Sequence, residues 1–380
     1  MDTPQPPSAD VPPEGPICGE VVYIHAFDLA YDMRRRPVPD LLGRPMEDYT
    51  AGPGRRGPKN LLFYRPQMVR LPGERRTTSR GGIEIRRSVK LFRIGAISVQ
   101  VRLPFAVDRL EDLVDYHHLD LGGSRVEHDA RDLAERVRRE LAPYCIRPVE
   151  ALGEGEAYTV FCLDALPPAD DGTPPKRAED WLLANRRRVA GLLTHEADAQ
   201  RLSIQATAGT TSHTLSYYQN DLVVVDWDAA LIAGEREDLD DILHIMELAN
   251  VQLVELAAYD RLLDVALEVS YRDVARRTLA GRRNVRRNLR EIRVDLARLS
   301  DELLNITKFF GDWHLAKVYG ALSSRFHLAD WHRIIDEKLR TLADLYELLQ
   351  HDRVNAWMVV LEATIVLLFI LDVVILLLGL

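Results

Sequence analysis

The 380-residue sequence has few cysteines and none of the short motifs that mark common catalytic sites. Its three cysteines, Cys18, Cys145 and Cys162, are odd in number and widely spaced. That spacing excludes a disulfide framework and a CxxC zinc site, and it fits a reducing compartment. The sequence also lacks a GxxxxGK phosphate loop, a strand-linked GxGxxG, a GxSxG elbow and an HExxH helix. We therefore predict no enzymatic activity and no cofactor.

The chain has little excess charge and no secretory signal. Lys and Arg total 49 against 58 Asp and Glu, a net charge of −9, so the chain does not wrap nucleic acid over its whole surface. Residues 1–17 are rich in proline and have no apolar core of the kind a signal peptide needs. We expect them to form a disordered arm.

Two patterns divide the rest of the chain. Residues 18–232 alternate strand-like apolar runs with amphipathic helical stretches, which predicts an α/β head. Residues 238–353 carry apolar residues at steps of 3 and 4, for example at Ile335, Leu339 and Leu342. This spacing favours narrow helix–helix seams, so we expect a helical hairpin and a coiled-coil stalk. The fold class expected is thus α+β, with a helical region after the head.

Residues 354–380 have the composition of a membrane anchor. The stretch from Ala356 to Leu380 contains no Lys or Arg, and a helix of this length spans a hydrocarbon core of about 30 Å. Arg340, His351 and Arg353 precede it, which places the bulk of the chain in the cytoplasm. We therefore expect one C-terminal transmembrane helix in the cytoplasmic membrane of a bacterium.

Two acids interrupt this apolar stretch. Glu362 and Asp372 are ten residues apart, which puts them roughly 15 Å apart along a helix and about 80° apart around it. A carboxylate in mid-bilayer costs on the order of 2.5–3.5 kcal/mol. Either both acids stay protonated or they face a neighbouring helix, and that second alternative predicts a homo-oligomer.

Several blocks in the second half resemble a known family. Ser216–Ile232, Glu247–Asp264 and Leu299–Leu349, followed by a terminal apolar helix, are similar to the family named "required for meiotic nuclear division". The resemblance implies an α/β region, a helical hairpin, a Leu-rich stalk and one C-terminal membrane helix. Mitochondrial members are linked to support of organellar translation, which implies RNA or the ribosome as a partner. No enzymatic activity is established for the family, so no catalytic residues carry over.

Two basic segments are candidates for binding an anionic partner. The first lies between Arg55 and Arg102, where Phe63, Tyr64 and Phe92 are interleaved; the second surrounds the predicted hairpin turn. Such patches neutralise phosphates of RNA or anionic lipid, but they are equally typical of a solvated face that pairs with acids elsewhere in the chain. The candidate residues are Arg55, Arg56, Arg75, Arg76, Arg86, Arg87, Arg282, Arg283, Arg286 and Arg290.

Signals for a metal site are weak. His117 and His118 lie close to acidic residues, but adjacent helical side chains point about 100° apart. Asp226 and Asp228 alternate within a predicted strand and so share one face, which suits a divalent cation or a strand end in water equally well. We predict no dedicated metal site.

Together these patterns favour a tail-anchored membrane scaffold or tether that works as a homo-oligomer and contacts RNA, the ribosome or anionic lipid through its basic segments. The alternative is a subunit of an oligomeric ion channel or transporter, because intramembrane acids such as Glu362 and Asp372 often line ion paths. Neither interpretation identifies a small-molecule substrate.

Overall fold

The structure is a computed structural model, and it describes residues 16–34, 36–49, 66–78, 81–168, 175–276 and 313–378. The strands are β1 (Ile17–Asp28), β2 (Ala30–Met33), β3 (Asp40–Leu41), β4 (Arg44–Pro45), β5 (Glu47–Asp48), β6 (Gln67–Arg70), β7 (Glu74–Thr78), β8 (Gly81–Leu91), β9 (Ala96–Val107), β10 (Cys145–Pro148), β11 (Glu156–Leu163), β12 (His213–Leu215), β13 (Leu222–Val225) and β14 (Ala229–Ala233). The α-helices are α1 (Val126–Leu141), α2 (Ala178–Leu193), α3 (Ile204–Thr210), α4 (Arg236–Arg276), α5 (Trp313–Arg325) and α6 (Leu328–Leu378), and a 3-10 helix spans Leu110–His118.

Two compact units divide the described chain. The first holds the described residues up to Glu255 together with those from Trp313 to Ala329, and the second holds residues 256–276 and those from Asp330 onward. The division falls inside α4, whereas the sequence pattern placed a boundary between residues 232 and 238.

A ten-stranded mixed sheet forms the centre of the first unit. Its strand order is β12-β13-β14-β11-β1-β9-β8-β6-β5, with β7 also paired to β8. The strand β1 is central, pairing antiparallel with β9 and with β11, whereas β11 pairs parallel with β14. The tight turn into β9 depends on Gly95, whose φ of +102° favours glycine and where a Cβ would lie 1.9 Å from the carbonyl oxygen of Ala30.

Both faces of this sheet are covered, so its central strands read as continuous apolar runs. On one face Val21, Tyr23 and Phe27 of β1 belong to a core that includes Leu113 of the 3-10 helix and Leu133 of α1. At the edge of this core, β9 continues to Val107 and the 3-10 helix begins at Leu110.

The first part of α4 covers the opposite face of the sheet and brings polar side chains with it. The Asn250 side-chain amide donates to the Glu156 carbonyl oxygen over 3.1 Å. Glu247 forms a buried ion pair with Lys90 of β8, and His244 lies 3.7 Å from the same Glu247 carboxylate.

In the second unit, the residues of the predicted stalk seam are already covered. Ile335, Leu339 and Leu342 are buried within a single chain, and the neighbouring Lys338 ammonium contacts Asp260 at 2.6 Å and Asp264 at 2.5 Å. Because these three side chains are already buried in one chain, they are not available to pack against another copy.

The predicted transmembrane anchor is wrong. Nowhere in the described ranges is there a helix both long enough and apolar enough to cross a membrane. The predicted tail anchor and location in a bacterial cytoplasmic membrane are wrong for the same reason.

Candidate functional site

A cleft lies on the face of the sheet that carries the 3-10 helix and α1. It has a volume of about 380 Å³ including its open mouth. We call it the histidine cleft, and its main polar lining residues are Tyr23, His25, His117, His118, Arg125 and Thr159. The pairing of β1 with β11 places Tyr23 opposite Thr159, and the alternation of β1 turns His25 to the same face as Tyr23.

The His25 imidazole is buried and lacks a hydrogen-bond partner at one nitrogen. The side chain is 6% exposed, and its Nε2 atom contacts no donor or acceptor among the described residues. Burial lowers the pKa of His25 to about 4, because the charged form loses its hydration. The ring is therefore neutral near pH 7.

A backbone contact fixes the tautomer of His117. Its Nε2 atom lies 2.8 Å from the carbonyl oxygen of Leu192, and because a carbonyl only accepts, Nε2 carries the proton. The Nδ1 atom is then a bare lone pair, buried without a partner in the described chain. Burial, together with the neighbouring His195 and His118 rings, lowers the pKa of His117 to about 4.

The His195 ring, from the turn after α2, packs against the rings of His117 and His118. Its ring stacks on His117 with centroids 3.5 Å apart, and it meets His118 edge-on at 5.7 Å. The His195 backbone has a φ of +58°, in the left-handed region that costs a residue other than glycine about 1 kcal/mol or more. Burial lowers the pKa of His195 as well.

Over the described residues, no group of three or more His, Cys, Asp and Glu side chains is arranged to hold a metal ion. Asp226 and Asp228 do not share a strand face, since they lie in the turn between β13 and β14. Asp226 is buried in an ion pair with Arg325, and Asp228 is exposed.

Most of the described arginines in the first basic segment form ion pairs with acids of the same unit. Arg76 contacts Glu74 at 2.8 Å and also Asp129, and Arg87 contacts the other oxygen of Glu74 at 2.5 Å. These contacts come from register and topology, which a linear charge count does not show.

Four described arginines of that segment are exposed, the candidates Arg75 and Arg86 together with Arg70 and Arg93. Arg75 is exposed, and Arg86 keeps 53% of its side chain exposed while it contacts Glu20 at 2.7 Å. Other predicted site residues lie outside the described residues: Arg55, Arg56, Arg282, Arg283, Arg286 and Arg290. Glu362 is exposed on α6, and the side chain of Asp372 lies outside the described part.

Sequence reasoning missed the buried ion pair on the other face of the sheet. The Lys90 ammonium lies 3.9 Å from the Tyr49 ring centroid and pairs with Glu247, and both charged side chains are almost fully buried. Although burial alone would raise the pKa of Glu247, Lys90 and His244 hold it at about 2. The only sequence signal was a charged residue inside each of two apolar runs.

The fold and the cleft define a mixed α/β head domain with buried polar groups on both sides of its sheet. This chain belongs to the family described as "Uncharacterized protein MJ0711, N-terminal domain", whose profile matches residues 18–240. It is similar to "Uncharacterized protein MJ0711" of Methanocaldococcus jannaschii, with 24% identity over 220 residues, or 58% of this chain. The match spans 65% of that relative's length. No solved structure matches the chain.

Proposed function

We propose that the protein is a non-enzymatic scaffold that assembles with further copies of itself through the last part of α6. The observation that carries this proposal is the exposed apolar run from Met358 to Leu371, where Leu367 is 68% and Phe369 70% exposed. A helix that is apolar on every side is stable only when other surfaces cover it.

Other copies of the chain suit this surface for two reasons. Identical helices laid side by side bring identical apolar runs into register, and closed homo-oligomers are the commonest assemblies of soluble chains. Glu362 is the one charged residue between Met358 and Leu371. A single polar residue in an apolar seam sets register and copy number at a cost in stability.

Light scattering of the full chain tests this proposal. The wild type is expected at a multiple of its 43.2 kDa mass. The double variant Leu367→Glu with Phe369→Glu is expected to be monomeric, because two carboxylates would be desolvated in the interface. Leu183→Glu, at a 69% exposed site on α2, is the matched control and should leave the mass unchanged.

A monomeric wild type contradicts the proposal, and so does a double variant with an unchanged mass. Flotation with lipid vesicles gives a separate readout. A monomeric wild type that floats with vesicles would mean that lipid, not another copy, covers this helix.

Contact with a polyanion is a second candidate role. The exposure of Arg75 and the half-exposure of Arg86 support it, because both guanidinium groups are accessible to phosphates of RNA, including ribosomal RNA, or of anionic lipid.

We also propose a relationship to the family "required for meiotic nuclear division". The similarity rests on Ser216–Ile232, which lies inside the matched residues 18–240, and on Glu247–Asp264 and Leu299–Leu349, which follow them. A solved structure of a member of that family tests this, since its segment equivalent to α4 should carry the Glu247 and Asn250 contacts to the sheet.

A further inference from the structure

The amino-terminal turn of α1 opens into the histidine cleft. Arg125, Val126 and Glu127 line the cleft, and α1 continues for 16 residues to Leu141. No described side chain caps this end of α1. The first backbone N–H groups of a helix have no intrahelical acceptor and carry a partial positive charge, which attracts anions.

A second, independent feature lines the same cleft. His25 is 6% exposed and its Nε2 atom has no partner among the described residues. Leaving a buried polar nitrogen unpaired is costly, and most such groups in folded proteins are hydrogen-bonded to protein or to a bound molecule. As a neutral imidazole, His25 can donate one hydrogen bond from a ring N–H.

We propose that the histidine cleft binds a small oxyanion, the phosphate or carboxylate group of a small molecule, between His25 and the first turn of α1. The Arg125 guanidinium is exposed at the rim and supplies the compensating charge, while the Thr159 hydroxyl on β11 supplies a further donor. The enclosed part of the cleft is small, so the ligand is compact.

One lining group opposes the anion. The Glu127 carboxylate is exposed in the first turn of α1 and belongs to the same cleft. Its like charge weakens oxyanion binding by Coulomb repulsion. Glu127→Gln should therefore strengthen binding, whereas a residue needed only for folding would not give a gain when changed.

Calorimetric titration of the full chain with inorganic phosphate, and in parallel with acetate, tests the site. Binding of phosphate alone or acetate alone identifies which oxyanion the cleft takes. We expect His25→Leu to weaken binding at least about tenfold and Arg125→Ala about tenfold, as the loss of a charge-assisted or buried hydrogen bond implies. Glu127→Gln should strengthen it about threefold. His128→Gln, also exposed on α1, is the matched control and should change nothing.

Three results would overturn the inference. The first is no binding of either anion at millimolar concentration, and the second is binding that His25→Leu and Arg125→Ala leave unchanged. The third is an equal loss of binding in His128→Gln. If His25→Leu does not fold, the opposite effects expected of Arg125→Ala and Glu127→Gln still decide the question, because both residues are on the surface.

Discussion

The imidazole of His195 lies nearly flat on that of His117, with an angle of 19° between the ring planes. The two residues are far apart in sequence, and the turn that follows α2 brings them together. The Glu196 N–H donates to the Gly191 carbonyl oxygen over 2.9 Å, which holds His195 in its left-handed conformation. Because two imidazolium rings at this separation repel each other, the pair is stable only while at least one ring is neutral.

We expect the stability of the head domain to fall on acidification through the histidine range. The folded-state pKa values of His25 and His117 are about 4, below the ordinary value of about 6.5, so the unfolded chain binds more protons between these values. The free energy of unfolding should therefore fall as pH drops from about 6.5 to about 4. The slope is at most about 1.4 kcal/mol per pH unit for each histidine.

Urea unfolding at a series of pH values measures this effect. His25→Gln should flatten the profile relative to the wild type, because one titrating group is removed, whereas His128→Gln at an exposed site should leave its shape unchanged. A His25→Gln profile parallel to that of the wild type between pH 6.5 and 4 would show that His25 does not titrate with unfolding.

Sequence patterns predicted much of the head but little of its polar chemistry. The continuous apolar run around Tyr23 and the amphipathic spacing of residues 126–141 are local patterns, which a sequence displays directly. The contact of His117 with His195 and the Lys90–Glu247 pair depend on long-range topology. No local period encodes which strand or turn will lie opposite a given side chain.

The C-terminal prediction failed for a different reason. Hydropathy over Ala356–Leu380 indicated a span, whereas no helix within the described ranges is both long enough and apolar enough to cross a membrane. The pairing of the basic segment was left open, since linear charge counts do not reveal that Glu74 lies between Arg76 and Arg87.

The turn at Gly95 should not tolerate a side chain. Gly95→Ala would place a Cβ 1.9 Å from the Ala30 carbonyl oxygen and would force a β-carbon into a φ of +102°. We expect a loss of at least about 2 kcal/mol in the free energy of unfolding, measured by urea titration. Gly209→Ala is the control, because a Cβ there meets nothing within 4 Å and α3 gains helix propensity. Equal stabilities of the two variants would contradict this interpretation.

Removing one partner of the Lys90–Glu247 pair should lower the free energy of unfolding, whereas replacing both partners with apolar residues should not. Lys90→Met leaves the Glu247 carboxylate buried and unpaired, so we expect a loss of about 3–5 kcal/mol in the free energy of unfolding. The double variant Lys90→Met with Glu247→Leu should recover most of that loss, since no charge remains buried. Arg272→Met, which breaks the exposed pair with Glu268, should cost at most about 1 kcal/mol. A double variant as unstable as the single one would mean that packing, not charge, accounts for the loss.

If the first basic segment contacts phosphates, its accessible arginines should determine binding. Among its four described candidates, Arg75 is exposed and Arg86 half-exposed, whereas Arg76 and Arg87 are held by acids, so Arg75 and Arg86 are the two candidates that can reach a polyanion. Arg75→Glu with Arg86→Glu should reduce binding to single-stranded RNA or to anionic vesicles at least about tenfold at low salt, and wild-type binding should weaken steeply as salt rises.

Arg109→Glu with Arg139→Glu makes the same change in net charge at two exposed sites outside the segment, where the side chains are 70% and 68% exposed. An equal loss in both double variants would assign binding to overall charge. Wild-type binding to neither RNA nor vesicles at low salt would leave the segment a role only in pairing with acids of the head.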